Sequence, residues 1–441
     1  MNKKTENKAV SPWQWVPSLY FAQGIPYVVV MSVAVILFKR MGMSNTDIAL
    51  YTSGLNLPWV IKPLWSPLVD LLKTKRWWIV VMQILVGAGL AGIALTIQGP
   101  LAFRYCLAFM WLLAFSSATH DIAADGFYML GLNEKKQAYF VGIRNTFYRF
   151  AVIFGQGILV MFAGWLEQRY AREMPDTAAI PQAWSLTFYL LTILFALLFV
   201  YHYLFLPHPR RDTCTLPPQQ ASAGRVFKEF LGTFTSFFQK KHIVSALIFI
   251  LLYRFAEAQL VKITSPFLLD TPATGGLALS TAEVGFIYGT IGVIALTIGG
   301  IVGGIAMARR GLKSCLWTMT IAMNLPNIVY LYLSFARPES IGIISGCVAI
   351  EQFGYGFGFT SLTYFMMLFS NGKHQTAHYA ICTGFMALGL MLPGMISGWI
   401  EESIGYRAFF VWIMLCTIPS FWATHLVRKN LTDNHSDNSS R

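Results

Sequence analysis

Apolar runs of about twenty residues recur along the whole chain, each closed by a short polar break. Trp77 to Ile97, Ser185 to Leu206 and Ala408 to Leu426 show the pattern clearly. A helix rises about 1.5 Å per residue, so roughly twenty apolar residues cross the hydrocarbon core of a bilayer. Read this way, the chain predicts twelve spans. They cover roughly 14–38, 46–70, 77–97, 101–131, 137–166 and 184–206, then 242–270, 280–308, 313–335, 339–370, 376–400 and 405–427. The fold class is all-α, a polytopic membrane protein with its helices in two bundles of six. Residues 1–206 form the first bundle, 207–241 a linker, and 242–441 the second bundle with a short tail.

Lys and Arg divide unevenly between the two sets of loops. One side receives Lys3, Lys4, Lys8, Lys73, Lys75, Arg76, Lys135, Lys136, Arg309, Arg310, Lys313, Lys373, Arg428, Lys429 and the bases of the linker. The other receives Lys39, Arg40, Arg169, Arg172, Arg337 and Arg407. The positive-inside rule then places both termini and the linker in the cytoplasm. The linker opens with the proline-rich, polar "PHPRRDTCTLPPQQ". It continues with "GRVFKEFLGTFTSFFQKK", where Phe227, Phe230, Leu231, Phe234 and Phe238 share one helical face. Such a helix either lies on the inner leaflet or packs on the bundle ends.

Composition agrees with this reading. The chain has 441 residues, 55% hydrophobic and 12% charged, about half the charge of an ordinary soluble protein. The net charge of +13 is an orientation signal and gives no reason to expect nucleic acid. No cleavable signal peptide is visible after "MNKKTENKAVSPWQW". The cysteines 106, 214, 315, 347, 382 and 416 form no CxxC pair and read as packing residues, so neither metal nor cofactor is expected. Neither HExxH nor GxSxG occurs, and the chain is not expected to be an enzyme. "QGIP" (23–26), the prolines 58, 63 and 67, "FGYGFGF" (353–359) and Pro393 mark places where helices kink or touch closely. The halves also echo each other: "GWLEQ" (164–168) closes the fifth span and "GWIEE" (398–402) the eleventh.

Charges inside the spans carry the functional signal. An ionised group at the bilayer centre costs roughly 2.5–3.5 kcal/mol on insertion scales. Asp70, Asp121, Asp125, Glu257 and Glu351 nevertheless fall within predicted spans, as do Lys62, Arg144, Arg149, Arg254 and Lys262. Acids and bases together imply pairing around a wet interior. Asp121 and Asp125 are one turn apart on one face, and two carboxylates that close cannot both ionise cheaply. Arg144 and Arg149 on the next span are their expected counter-charges. Arg254 and Glu257, three apart, share a face of the seventh span. Asp70, Lys62 and Arg149, near span ends, read as salt bridges that fix packing or close a gate. Asp121, Glu257 and Glu351 lie deeper and read as transport residues. His202 and His425 read as interfacial, and the stripe Tyr20, Phe21, Tyr27 as either packing or cavity wall.

The same residues carry a family resemblance. "VIKPLWSPLVDLLKTKRWWIVVMQIL" (60–85) resembles the second-span signature of the AmpG muropeptide permeases of the major facilitator superfamily. "FSSATHDIAADGF" (115–127) resembles their fourth-span motif, serine-x-glutamine-aspartate-two apolar-x-aspartate. "LLYRFAEAQLVKITSPFLL" (251–269), "EQFGYGFGFTSLTYFMML" (351–368) and "TAHYAICTG" (376–384) resemble their seventh, tenth and eleventh spans. The resemblance implies a proton-coupled importer of peptidoglycan-turnover products in the bacterial inner membrane. It transfers Asp121, Asp125 and Glu351 as functional acids, Asp70 as the cytoplasmic-gate acid, and Glu257 and Arg254 as matching charged positions. His120 and His378 stand where the family has glutamine, which leaves the ligand open.

The expected mechanism is alternating access around a midplane cavity. Its proton-coupling candidates are Asp121, Asp125, Glu257 and Glu351. Its substrate-binding candidates are Gln23, Tyr27, His120, Arg254, Gln352, Tyr355 and His378. Asp70, Arg144 and Arg149 are gate or ion-pair candidates. The expected partners are an anhydromuropeptide or its amino-sugar core, a proton and the lipid bilayer, with the protein acting as a monomer. Another small ligand (an amino sugar, an oligosaccharide or a siderophore) is the alternative, and an exporter of amphipathic compounds the remaining rival.

Overall fold

A computed structural model describes residues 11–209, 212, 231–232, 234–371 and 375–439. Within these, side chains are not described at 67, 68, 70–72, 134, 135, 138, 141, 375, 376 and 431–439. Every regular element among the described residues is helical. The first predicted span is α1 (Val16–Val28) and α2 (Ala34–Arg40), joined by a π turn over Val29–Val33. α3 (Asn45–Gly54) and α4 (Leu57–Leu72) make the second, followed by α5 (Lys75–Thr96) and α6 (Ala102–Gly131). α7 (Glu134–Val152) runs through a π turn (Ile153–Ile158) into α8 (Leu159–Tyr170), and α9 (Asp176–Phe205) ends the first half. The second half holds α10 (Ile243–Leu252), α11 (Phe255–Leu269), α12 (Thr281–Val284), a π turn (Gly285–Gly292) and α13 (Val293–Asn324). α14 (Ile328–Ala336), α15 (Ile341–Ser370), α16 (Gln375–Leu415) and α17 (Ile418–Ser439) complete it.

Two long helices are each two rods. Gly311 (φ 73°) interrupts α13 and Gly405 (φ 76°) interrupts α16; this left-handed conformation is open to glycine and strained for other residues. With those breaks the helices follow the predicted spans in order and are consistent with twelve crossings. Among the described residues, eight helical segments are long and apolar enough to cross a bilayer on that ground alone.

Local sequence explains where the helices begin and bend. Ser44, Thr74 and Asn133 accept the first free amides of α3, α5 and α7. Ser280 and Glu283 form a capping box at α12. Pro26 removes one helical donor, and the π turn of the first span begins three residues later. The "FGYGFGF" glycines do not break α15. They let neighbours approach: a Cβ at Gly356 would lie 2.0 Å from the Leu296 carbonyl oxygen, and one at Gly354 2.1 Å from that of Ala322.

The chain separates into two compact units. One contains the described residues of Met1–Val28, Trp65–Phe154 and Trp184–Gln220, with a core around Trp15, Leu19, Ile79, Phe127 and Leu206. The other contains those of Val29–Leu64, Gly155–Ala183 and Ala221–Arg441, with a core around Phe249, Tyr253, Met319, Phe365 and Ala423. The unit boundaries at Val28 and Phe154 fall at the π turns of the first and fifth spans.

Most of the 207–241 linker, including Phe227 and Phe230, lies outside the described residues. Residues 234–238 are helical. They bury Phe237, which the predicted apolar face omits, against Phe369, His378 and Phe385, while Phe238 stays half exposed. Lys240 then donates to the Phe369 and Asn371 carbonyls at 2.7 and 2.8 Å, capping α15. Burial lowers its ammonium pKa from the ordinary lysine value.

Candidate functional site

The first polar cluster lies on α1, α6 and α7. Asp121 and Asp125 sit one turn apart on α6, as their spacing requires. Gln23 donates its side-chain amide to Asp121. Tyr20 donates its hydroxyl to Asp125 at 3.0 Å, and Arg144 pairs with the same carboxylate at 3.3 Å. The Arg144 guanidinium lies 4.6 Å from the Tyr20 ring centre and 5.2 Å from that of Tyr128. Two tyrosine faces thus supplement one carboxylate in holding the cation. Gly24 makes this possible by admitting α7: a Cβ there would meet that of Ala151 at 2.6 Å.

A second chain of polar groups runs behind this cluster. His202 is fully buried and joins Ser18 (2.9 Å) to Gln83, and Gln83 in turn reaches His120 at 3.2 Å. The interfacial role expected of His202 is therefore wrong. α9 turns it inward, where a polar ring needs partners and finds them. His120 points into this chain, about 100° around the helix from Asp121.

The second cluster lies on α11, α14, α15 and the π turn before α13. Glu351 is buried, accepting from Tyr330 at 3.1 Å and Gln352 at 2.9 Å. Glu257 is buried as well, within the electrostatic reach of Glu351 and Arg254. Glu257 Oε2 and Glu351 Oε1 have no hydrogen-bond partner among the described residues. Tyr288, buried on the π turn, lies near both acids. Arg254 and Glu257 lie within electrostatic reach of each other, but across a helix start and not on one unbroken helix. The chain breaks after α10, and Arg254 is the N-cap of α11 with φ −107°. Its guanidinium turns to the Tyr355 hydroxyl and covers the Tyr355 and Phe359 rings at 5.1 and 5.0 Å.

The turns between spans one and two, five and six, seven and eight, and eleven and twelve meet in a third network, entirely within the second unit. Lys39 pairs with Asp270 (2.7 Å) and donates to Asn45 (2.8 Å). Asn45 donates to Glu401 at 2.6 Å and to Tyr406 at 2.9 Å. Arg40 donates to Glu167 at 3.1 Å, and Thr281 donates to the same oxygen at 2.7 Å. The "GW-x-E" echo takes structural form here. A Cβ at Gly398 would lie 1.9 Å from the Asn45 carbonyl oxygen, and one at Gly164 2.3 Å from the Ala282 amide. In both halves a glycine admits the first turn of another span, and a glutamate three residues on bonds that turn's polar side chain.

The Major Facilitator Superfamily model matches residues 18–376. The chain belongs to the Major Facilitator Superfamily. Among superfamily relatives, transporter AmpG 4 of Rickettsia conorii is 25% identical over 415 residues, 92% of this chain and 93% of its own. The anhydromuropeptide permease of Escherichia coli K12 is 24% identical over 420 residues, 94% of this chain and 79% of its own. A D-xylose–proton symporter superposes with a TM-score of 0.68 at 13% identity, covering 94% of this chain and 96% of that one. A POT family transporter bound to a thioalcohol-conjugated peptide gives 0.71 at 10% identity, covering 94% and 95%. Structures this distant establish the major facilitator fold. The family and these neighbours are transporters rather than enzymes, and the chain is an AmpG-like small-molecule transporter of the membrane.

The structure brings Gln23, Asp121, Asp125 and Arg144 together in one unit, and Arg254, Glu257, Glu351, Gln352 and Tyr355 in the other. Tyr27 faces Tyr148, with ring centres 6.4 Å apart. Arg149 is half-buried and makes no salt bridge among the described residues. His378 is placed elsewhere, buried against Ser236 (3.0 Å) and Phe237. The Asp70 side chain lies outside those described. Sequence reasoning missed Tyr128, Tyr288 and Tyr330, since tyrosine in an apolar run carries no charge signal. It also left Glu167 and Glu401 as a mere echo.

Proposed function

We propose that the protein is a proton-coupled importer of anhydromuropeptides or their amino-sugar core, working by alternating access between bundles 1–206 and 242–441. It resides in the inner membrane with both termini cytoplasmic, and acts as a monomer. The observation that carries the substrate class is the likeness to anhydromuropeptide permease across 94% of the chain. Coupling is supported by the acids at 121, 125, 257 and 351, whose partners are tyrosines, glutamines and arginines. Tyrosine faces and amides suit the apolar faces and hydroxyls of a sugar ring. One charge crossing 100 mV supplies about 2.3 kcal/mol, more than the ~1.4 kcal/mol of a tenfold gradient. The network of Lys39, Arg40, Asn45, Glu167, Asp270 and Glu401 then closes the outer mouth.

Labelled anhydro-N-acetylmuramyl tripeptide should accumulate in proteoliposomes when the outside is acidified, and a protonophore should abolish that accumulation. Accumulation untouched by the protonophore removes the coupling, and no uptake of any peptidoglycan fragment removes the substrate class. Orientation is tested separately. Cysteines placed at Ser222 and Asp433 should be shielded from an impermeant thiol reagent in intact cells, and one at Gln168 should react. The reverse pattern would overturn the topology.

A further inference from the structure

Lys262 is a charged group that neither polar cluster uses. It lies on α11 and is 2% exposed. It makes no hydrogen bond or salt bridge among the described residues. Glu257, five residues earlier, projects about 140° away around the same helix. Gln259 faces Trp412 and Cys416. Lys262 instead faces α16 at Gly394, where α3 also arrives. A Cβ at Gly394 would lie 2.6 Å from Ser53 Oγ and 3.5 Å from Lys262 Cγ. Ser53 Oγ is itself buried and without a hydrogen-bond partner among the described residues. The stem of a buried lysine and an unpartnered hydroxyl therefore meet at one glycine, under the contact between α3 and α16. Burying such groups without partners is costly, and a partner arriving when the seam is open would offset that cost.

Both groups donate hydrogen bonds, and Lys262 is cationic. The shape of the seam adds a direction. α3 and α16 also meet at Gly398 and Asn45, in the network that closes the mouth. Gly394, beside the Lys262 stem, is one helical turn from Gly398 on α16. We propose that Lys262, with Ser53, is an anion subsite that takes a carboxylate of the transported ligand when the α3–α16 seam is open. The proposal rests on alternating access as read above. It adds that the cargo is recognised as an acid.

Two measurements separate this inference from the substrate reading. The first compares uptake of labelled 1,6-anhydro-N-acetylmuramic acid with uptake of its neutral carboxamide. Wild type should favour the acid about 10- to 100-fold, the range of a charge-assisted hydrogen bond. Lys262→Met should remove that preference while changing carboxamide uptake less than about twofold, and Lys262→Arg should restore part of it. Equal loss for both probes, or no change, overturns the subsite. The second needs no cargo. A cysteine replacing Ser53 should react with an anionic methanethiosulfonate about tenfold faster than with a cationic one, after correction for intrinsic rates. Lys262→Met should erase the difference. Equal rates before that substitution, or no labelling by either reagent, overturn the subsite. If wild type transports neither sugar but the charge preference at position 53 holds, the substrate class fails and the anion subsite stands.

Discussion

Asp121→Asn should bring acid-driven accumulation down from tens-fold to unity while labelled ligand still exchanges across the membrane. A single charge moved through 100 mV supports roughly a fiftyfold gradient, so loss of the coupled proton removes nearly all of it. Asp121 is bonded by the neutral amide of Gln23, whereas Asp125 is held by Tyr20 and the Arg144 guanidinium. Protonating Asp125 would break its ion pair with Arg144, which makes Asp121 the better proton carrier of the two. Asparagine keeps the size of Asp121 and one oxygen for Gln23, so exchange survives. Asp125→Asn instead strands Arg144 over two tyrosine rings and should mainly slow release. Counterflow and pH-jump uptake in the same vesicles separate the two results. Normal accumulation in both variants would make these acids structural and shift coupling to Glu257 and Glu351.

The order and placement of the helices were legible because lipid leaves a chain few options. A run of apolar residues must be helical, and its length fixes a crossing. The pair Asp121 and Asp125, and Arg144 as counter-charge, were legible for the same reason, since an ion in a span demands a partner. The helix break at Arg254 was not legible, because "LLYRF" carries no glycine or proline to announce it. His202 was misjudged because its position near a span end says nothing about which way α9 is turned. The tyrosines at 128, 288 and 330 were invisible because their hydroxyls matter only through carboxylates and cations on other helices. The glutamates at 167 and 401 were visible as a repeat, but a repeat alone does not say what it touches. Only the glycine contacts showed that each motif receives the start of another span.

Those contacts make Gly398 the position where a small change should have a large effect. A Cβ there would lie 1.9 Å from the Asn45 carbonyl oxygen and 2.4 Å from its carbon. Backbone cannot rotate out of the way as a flexible side chain can, so α3 must move off α16. Overpacking of this kind costs about 1–3 kcal/mol, which shifts a two-state balance by roughly 5- to 150-fold. If this network is the proposed outer closure, that shift moves it toward open and separates Asn45 from Glu401. Gly398→Val should therefore cut the initial uptake rate at least about tenfold, while a cysteine at position 53 labels about tenfold faster from outside. Gly346→Val is the control: it lies on α15 with nothing within 4 Å of its Cβ direction, and uptake should stay within about twofold. Gly164→Val, which meets the Ala282 amide, should reproduce the Gly398 result if the two motifs are equivalent halves of one closure. Normal uptake with position 53 still protected in Gly398→Val would show that the closure lies elsewhere.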